Sequence, residues 1–97
     1  MLNYQKTVQE FDLEGIAHRL LSGSIDALNA CYECCDRYAD TERVALFYYG
    51  QEGHKKQYSF KALKKYSSQF ANFLKSQGIT QGDRISGLLP RTPELII

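Results

Sequence analysis

Residues 44–77 read VALFYYGQEGHKKQYSFKALKKYSSQFANFLKSQ, and this stretch decides the fold. The apolar, aromatic-rich run at 44–49 predicts a strand that is buried on at least part of both faces. Residues 50–54 contain two glycines and are typical of a turn, and residues 56–59 predict a returning strand. We therefore expect a β-hairpin over residues 43–59.

A long amphipathic helix is predicted directly after the hairpin, over residues 60–77. Ser59 has the side chain of an N-cap, and Gly78 can supply a left-handed C-cap. Apolar residues recur at helical spacing, while the lysines lie mostly on the opposite side. The apolar positions are Leu63, Tyr66, Phe70, Phe73 and Leu74.

The preceding residues 1–40 predict a helical lead-in. Apolar residues recur at helical intervals between positions 4 and 21, as one helix or two short ones. After a break rich in serine and glycine, Ser24 or Asp26 can cap a second helix that runs to about Tyr38.

The last part of the chain predicts a turn, a strand and the beginning of a helix. Residues 79–83 form a tight turn, and residues 84–89 read as a strand that a proline closes. Thr92 is a suitable N-cap and Pro93 fits the first helical position, so residues 92–97 predict the start of a helix. The order of elements predicts a layered α/β domain whose sheet continues beyond this chain. We therefore expect a fragment of a longer protein.

The net charge of +1 hides an uneven distribution. Residues 1–53 hold nine acidic residues and four Lys or Arg, whereas residues 54–97 hold two acidic residues and eight Lys or Arg. Six lysines occur with no acidic residue between Gly53 and Asp83, a pattern that can attract phosphates or nucleic acid. A solvated helix face is the favoured interpretation, because arginines and aromatic residues do not alternate there. We expect no nucleic-acid partner.

The compartment is predicted from the first residues and from hydropathy. The start, MLNYQK, has no cationic leader followed by an apolar segment, and no later run is long enough to span a bilayer. These features predict a cytoplasmic protein without a membrane partner.

Three cysteines, Cys31, Cys34 and Cys35, are expected as thiols in that reducing compartment. Thiolates one helical turn apart can share a zinc ion, with His18 or His54 completing the ligands. Packed thiols are the favoured interpretation, because Cys31 and Cys35 fall on an apolar stripe and no second Cys pair exists. Cys34 is the cysteine most expected to be exposed.

Other candidate residues have structural interpretations that we favour. His18 and His54 lack a nearby nucleophile and carboxylate in a recognised arrangement, which predicts surface histidines. Asp83, between Gly82 and Arg84, is expected to bind turn amides. Arg91 follows a predicted strand end, where open α/β sheets place ligands, although packing around the helix start is favoured. The glycines form neither a Walker loop nor G-x-G-x-x-G, so no nucleotide-binding motif is visible.

Several short motifs in fixed order resemble the opening of AMP-forming acyl-CoA synthetases, in the adenylate-forming superfamily. They are YSFxxL at residues 58–63, ANxL at 71–74, GIxxGDRI at 78–85 and LPRTPEL at 89–95. The resemblance implies the N-terminal part of the large AMP-binding domain, incomplete over residues 1–97, with helices, a hairpin, a helix and the first strand.

A further segment resembles the acetyl-CoA synthetase branch of that family. Residues 28–39, LNACYECCDRYA, are similar to an LNxxYExxDRHA-like segment that precedes the first strand, which here begins with Val44. Tyr38 stands where the usual residue is histidine, and Ser59 where it is threonine.

The resemblance implies an enzyme that condenses a small carboxylic acid with ATP to an acyl-adenylate and pyrophosphate. The thiolate of coenzyme A then displaces AMP to give a thioester, with Mg²⁺ neutralising the phosphates. In the family pattern the phosphate loop, acyl pocket, ribose-binding aspartate and catalytic lysine all lie beyond Ile97. No catalytic, cofactor-binding or metal-binding residue is therefore assigned to this chain, which is expected to need no cofactor and to be inert alone.

Three alternatives remain open from the sequence, one of which is an interaction protein from a split or truncated gene whose interrupted sheet docks on another chain. A medium-chain or aryl acyl-CoA ligase also suits residues 88–94, LLPRTPE. From another class, a free-standing module could bind an anionic partner or a protein through the lysine-rich helix. In every case a short chain with an interrupted sheet has uncovered apolar surface, which predicts association with the rest of a synthetase chain or with itself.

Overall fold

The computed structural model describes residues 3–97, which divide into two compact units. One unit runs up to Glu33 and the other covers Cys34–Ile97. Four α-helices and one two-stranded sheet make up the regular structure of the described residues: α1 (Tyr4–Gln9), α2 (Leu13–Leu20), α3 (Ala30–Cys34), β1 (Val44–Tyr49), β2 (Lys55–Ser59) and α4 (Phe60–Ser76). The mixed helix and sheet composition confirms the predicted α/β class.

In the first unit, side-chain caps define short helices. Asn3 Oδ1 accepts from the backbone N–H of Gln5 at 3.1 Å and begins α1, and Asp12 Oδ2 accepts from Gly15 N–H at 3.1 Å and begins α2. A Cβ at Gly15 would collide with the Asp12 carboxylate, so the glycine makes room for this cap. Of the two arrangements left open for residues 4–21, the structure has two short helices.

The predicted second helix is interrupted at two points. A 3-10 helix covers Ile25–Ala27, α3 covers Ala30–Cys34 and another 3-10 helix covers Asp36–Tyr38. Asn29 Oδ1 accepts from Tyr32 N–H at 3.1 Å, so the side chain restarts a helix where the prediction continued one. One continuous helix to Tyr38 was therefore a wrong prediction.

In the second unit the hairpin has the predicted position and an unpredicted bulge. β1 and β2 are antiparallel, with Tyr49 opposite Lys55 and Leu46 opposite Tyr58. The register shifts between Val44 and Leu46, which leaves one extra residue in β1. Gly53, with φ of +80°, lies in the connecting turn, where its left-handed backbone favours glycine.

Helix α4 packs its first turns on the hairpin. Ser59 Oγ accepts from Ala62 N–H at 3.1 Å, and Gly78 has φ of +80° just beyond the other end, so both predicted caps are present. Leu63 is the buried residue of α4, with 9% of its surface exposed, and the Tyr38 and Phe60 rings lie 5.3 Å apart. These contacts form a small core near the start of α4.

Two other predictions differ from the structure. Phe47 and Tyr49 are 56% and 68% exposed, so β1 is not covered on both faces by the described residues, which supply one helix on one face. Residues 84–89 form no strand, since neither β1 nor β2 pairs with them and a strand needs a hydrogen-bonded neighbour.

The helix start at residues 92–97 is a single 3-10 turn, Pro93–Leu95. Pro93 lies in the first turn as expected, but the Thr92 hydroxyl does not cap it. Thr92 instead donates to Glu94, and this hydrogen bond lowers the pKa of that carboxyl below its ordinary value of 4.5. Thr92 therefore occupies the predicted N-cap position, but the predicted hydrogen bond from a backbone N–H to its hydroxyl is absent.

Candidate functional site

The cysteines lie on and beside α3. Cys34 is exposed, as expected, but Cys31 is also exposed, because α3 is only five residues long and the predicted stripe does not continue through it. Cys35 is half-buried, and its thiol lies 3.6 Å from the Phe60 carbonyl oxygen. Within residues 3–97 no three His, Cys, Asp or Glu side chains are grouped to hold a metal ion.

Both histidines lie on the surface. His18 is exposed on α2. His54 Nε2 lies 3.5 Å from Glu52 Oε2 at the hairpin turn, and both side chains are more than 70% exposed. An open depression of about 440 Å³ beside this turn is lined by Tyr48, Gly50, Gln51, Glu52, His54 and Lys56. These residues include no Ser or Cys nucleophile, so the depression offers no recognised catalytic arrangement.

Asp83 builds the turn after α4. Its Oδ2 accepts from the backbone N–H of Thr80 at 2.7 Å and from the Thr80 hydroxyl at 3.1 Å. The backbone hydrogen bond, and then the hydroxyl, lower the pKa of Asp83 from its ordinary value of 3.8. Gly82, with φ of +96°, supplies the left-handed backbone that the turn requires.

The segment around Arg91 contributes to a second depression. Arg91 itself is exposed, while Glu94 lies near the aromatic pair Tyr58 and Tyr66, whose ring centroids are 6.3 Å apart. Together with Ile97 these residues line an open depression of about 340 Å³. The sequence did not single out this combination, because it depends on the return of residues 93–97 to the hairpin.

The lysines of α4 make only surface contacts. Lys61 Nζ lies 3.9 Å from Glu42 Oε1, and both side chains are more than 70% exposed. Lys64 and Lys65 are also exposed. Exposed pairs of this kind contribute between 0 and about 1 kcal/mol, so the geometry fits the predicted solvated face.

Two arrangements that nucleotide and magnesium sites commonly use are absent from the described residues. The positive-φ glycines Gly53, Gly78 and Gly82 stand in separate turns and do not form one phosphate-binding loop. The acidic side chains are not grouped as ligands within the described residues.

None of the helices in residues 3–97 is both long and apolar enough to cross a membrane.

The aromatic side chains of α4 are only partly covered by the described residues. Tyr66, Phe70 and Phe73 on α4 are 41%, 48% and 56% exposed. The sequence placed these residues on the apolar side of the helix, but exposure could not be read from spacing alone. Exposed apolar side chains of this kind are typical of residues from the interior of a larger domain. They are a clearer feature of the described residues than any catalytic arrangement.

The family follows from comparison with known proteins. Residues 33–97 match the AMP-binding family, described as AMP-binding enzyme. Because this match covers more than half of the chain, the chain belongs to that family. The predicted resemblance to adenylate-forming enzymes is confirmed.

Individual relatives point to one branch. The chain is 36% identical over 97 residues to an acetyl-coenzyme A synthetase of Bacillus subtilis, matching 96% of this chain and 17% of that protein. It is 34% identical over 91 residues to an acetyl-coenzyme A synthetase of Alcanivorax borkumensis, matching 91% of this chain and 14% of that protein. The chain thus spans less than a fifth of the length of these relatives.

A solved structure agrees over nearly the whole chain. The crystal structure of an acyl-CoA synthetase from Brucella canis matches with a TM-score of 0.88 and 41% identity. The match covers 99% of this chain and 18% of that chain. The two units and their elements therefore have counterparts in one part of an acyl-CoA synthetase.

Proposed function

We propose that this chain is the N-terminal segment of an AMP-forming acetyl-CoA synthetase. The observation that carries the proposal is the 36% identity to the Bacillus subtilis acetyl-coenzyme A synthetase over 96% of this chain, within 17% of that protein. The proposed reaction of the complete enzyme joins acetate, ATP and coenzyme A to acetyl-CoA, AMP and pyrophosphate.

The reaction has two steps that need groups outside this chain. An acetate oxygen attacks the α-phosphorus of ATP and pyrophosphate leaves. The coenzyme A thiolate then attacks the acyl carbon, and AMP leaves with the electrons of the broken C–O bond. ATP, Mg²⁺ and coenzyme A belong to the complete enzyme, and we assign none of them to a residue described here.

The role proposed for this segment is support of the large domain. Its polar side chains act locally: Asp83 fixes a turn and Ser59 caps α4. Its apolar side chains, in contrast, are not fully covered. Phe70 and Phe73 are about half exposed, although α4 has the apolar spacing of a core helix. A segment with these properties stabilises a catalytic domain without taking part in bond making.

A chimera tests the proposal. This chain replaces the matched residues of the Bacillus subtilis acetyl-coenzyme A synthetase, and AMP release is measured with acetate, ATP, Mg²⁺ and coenzyme A. We expect AMP and acetyl-CoA from the chimera and none from the isolated chain. The same synthetase without its matched residues is the control and should be inactive.

Two results would count against the proposal. AMP release above a blank by the isolated chain would disprove its inertness. A folded chimera that forms no acetyl-CoA, beside an active parent enzyme, would disprove the assignment to this branch.

A further inference from the structure

We infer that the adjacent thiols of Cys34 and Cys35 form a binding site for trivalent organoarsenicals, in which one arsenic atom is held by both sulfur atoms. Cys34 reacts first because it is exposed, and the half-buried Cys35 then closes the chelate. Both residues belong to the second unit. The inference does not depend on the proposed function.

The two thiols differ in their access to solvent. Cys34 is the last residue of α3 and is exposed, so its sulfur can meet a ligand directly. Cys35 is half-buried, and its thiol donates to the carbonyl oxygen of Phe60, the first residue of α4, at 3.6 Å. The chain therefore offers one sulfur for a first bond and a second, partly covered sulfur on the next residue.

Adjacent cysteines fit a bridging metalloid better than a disulfide. The peptide between Cys34 and Cys35 is trans, and a trans peptide places neighbouring Cα atoms about 3.8 Å apart. Disulfides usually join Cα atoms that are about 4.4 to 6.8 Å apart. An arsenic atom between the two sulfurs enlarges the closed ring by one atom and requires no S–S bond.

The number of thiols selects the class of ligand. Structural zinc takes four protein ligands, but within residues 3–97 no three His, Cys, Asp or Glu side chains are grouped to hold a metal ion. A monosubstituted arsenical, R–As(OH)₂, has two exchangeable oxygen ligands and therefore needs two thiolates. Because thiolates are soft ligands that favour thiophilic elements, the pair matches this compound in both number and chemistry.

Binding is a ligand exchange at arsenic and needs no oxidant. The Cys34 sulfur attacks arsenic, one As–O bond breaks, and the thiol proton leaves with the hydroxide as water. The Cys35 sulfur then displaces the second hydroxide in the same way. Two As–S bonds replace two As–O bonds, two water molecules are released, and arsenic stays trivalent.

Closing the chelate alters the contacts at the start of α4. An arsenic-bound Cys35 sulfur carries no proton, so its hydrogen bond to the Phe60 carbonyl oxygen is lost. The Phe60 ring also lies 5.3 Å from the ring of Tyr38, which follows Cys35 by three residues. Loss of the hydrogen bond therefore loosens the first turn of α4, and hydrogen exchange at residues 60–64 increases on binding.

Phenylarsine oxide, which hydrates to a dihydroxyarsine, tests the site in this chain. Intact-mass measurement should show one phenylarsenic group per chain, retained in excess 2-mercaptoethanol and released by dithiothreitol. Cys34→Ser and Cys35→Ser should each weaken binding at least about 100-fold, because the second sulfur acts at a high effective concentration. Cys31→Ser is the matched control and should bind as the unchanged chain does.

Alkylation by iodoacetamide tests the order of reaction. Peptide mapping in buffer should show Cys34 modified at least about tenfold faster than Cys35, because Cys35 reacts only after local opening. In concentrated urea the two rates should become similar. Equal rates in buffer would overturn the assignment of Cys34 as the first ligand.

A second variant at the half-buried position keeps the binding test decisive. Cys35→Ala adds no hydroxyl there, and it should lose tight binding as Cys35→Ser does. Tight binding that survives in both variants but is lost in Cys31→Ser would assign the chelate to another pair of thiols and overturn the inference.

Hydrogen exchange separates the chelate from its effect on α4. Faster exchange at residues 60–64 in the arsenical complex supports the coupling through Phe60, and unchanged exchange overturns it. These measurements do not involve AMP release. Failure of the arsenical site therefore leaves the proposed function in place, and an inactive chimera leaves the arsenical site in place.

Discussion

Asp83 and Ser59 each use one side-chain oxygen to bind a backbone N–H three residues away. Asp83 Oδ2 accepts from Thr80 N–H at 2.7 Å, and Ser59 Oγ accepts from Ala62 N–H at 3.1 Å. Such hydrogen bonds join residues that are close in sequence, so they form without contributions from distant parts of the chain. They explain why the turn at residues 80–83 and the start of α4 agree with the prediction.

The lowered pKa of Asp83 predicts a local pH dependence. Its ionised form is favoured by Thr80, so its contribution to stability is present above about pH 3.8 and is lost as the pH falls through the lower pKa of the folded state. A carboxyl-carbon NMR titration of the isolated chain should give a midpoint below 3.8. Thr80→Ala removes the hydroxyl but keeps the backbone N–H, so it should raise the midpoint only partway. An Asp83 midpoint at or above 3.8 would contradict the hydrogen-bonded turn.

A substitution at Gly78 tests the left-handed end of α4. Its φ of +80° strains any L-residue with a side chain, although no atom lies within 4 Å of an added Cβ. Gly78→Ala should therefore cost about 1 kcal/mol of unfolding free energy through backbone strain alone. Urea denaturation followed by circular dichroism measures the loss. Gly87→Ala is the matched control, since Gly87 has open space and no left-handed φ, and an equal loss there would argue against the strain.

At the scale of elements, α4 and the hairpin were predictable because local signals mark their ends. Ser59 and Gly78 cap α4, and the glycine-containing turn places β1 and β2 within one or two residues of the expected bounds. In contrast, residues 84–89 have the composition of a strand, but a strand exists only where another pairs with it. Pairing is a tertiary property that composition does not contain.

The helical lead-in shows a different limit of prediction. The apolar spacing favoured one helix to Tyr38, but the Asn29 side chain competes with backbone hydrogen bonds and starts α3 anew. Asn29 was visible in the sequence as a potential cap, so this error was avoidable. The exposure of Phe70 and Phe73 was not, because it depends on which neighbours are present.

The cap of α4 allows a prediction with a conservative control. Ser59→Ala leaves the Ala62 N–H without its acceptor and should reduce the unfolding free energy by about 1 kcal/mol. Ser59→Thr retains the hydroxyl and should be nearly neutral. Thermal unfolding of the chimera gives the comparison, and similar losses in both variants would show that the hydroxyl does not cap the helix.

At the scale of the whole molecule, many large apolar side chains are exposed to solvent. Ala39, Leu63 and Pro93 are the buried residues among those described, while Phe11, Leu20 and Ile85 are more than half exposed. Unfolding of such a chain exposes less additional surface to solvent than unfolding of a close-packed domain of the same length.

This predicts a shallow unfolding transition. The dependence of unfolding free energy on urea concentration follows the surface exposed on unfolding, so its slope for the isolated chain should fall below that of a compact domain of 97 residues. Urea titration, monitored by tyrosine fluorescence and circular dichroism together, measures the slope. A steep transition that coincides by both probes would indicate a complete core and contradict the exposed surface.

The left-handed backbone at Gly78 also allows a D-amino acid to be placed at this position. D-amino acids favour the left-handed backbone region, with positive φ, that L-residues avoid. D-Alanine, introduced there by peptide ligation, should therefore adopt the backbone conformation of Gly78 without strain. Because it also reduces the conformational entropy of the unfolded chain, it should raise the melting temperature relative to glycine. A rise with the D-enantiomer and a fall with the L-enantiomer would identify handedness, and not size, as the requirement of that position.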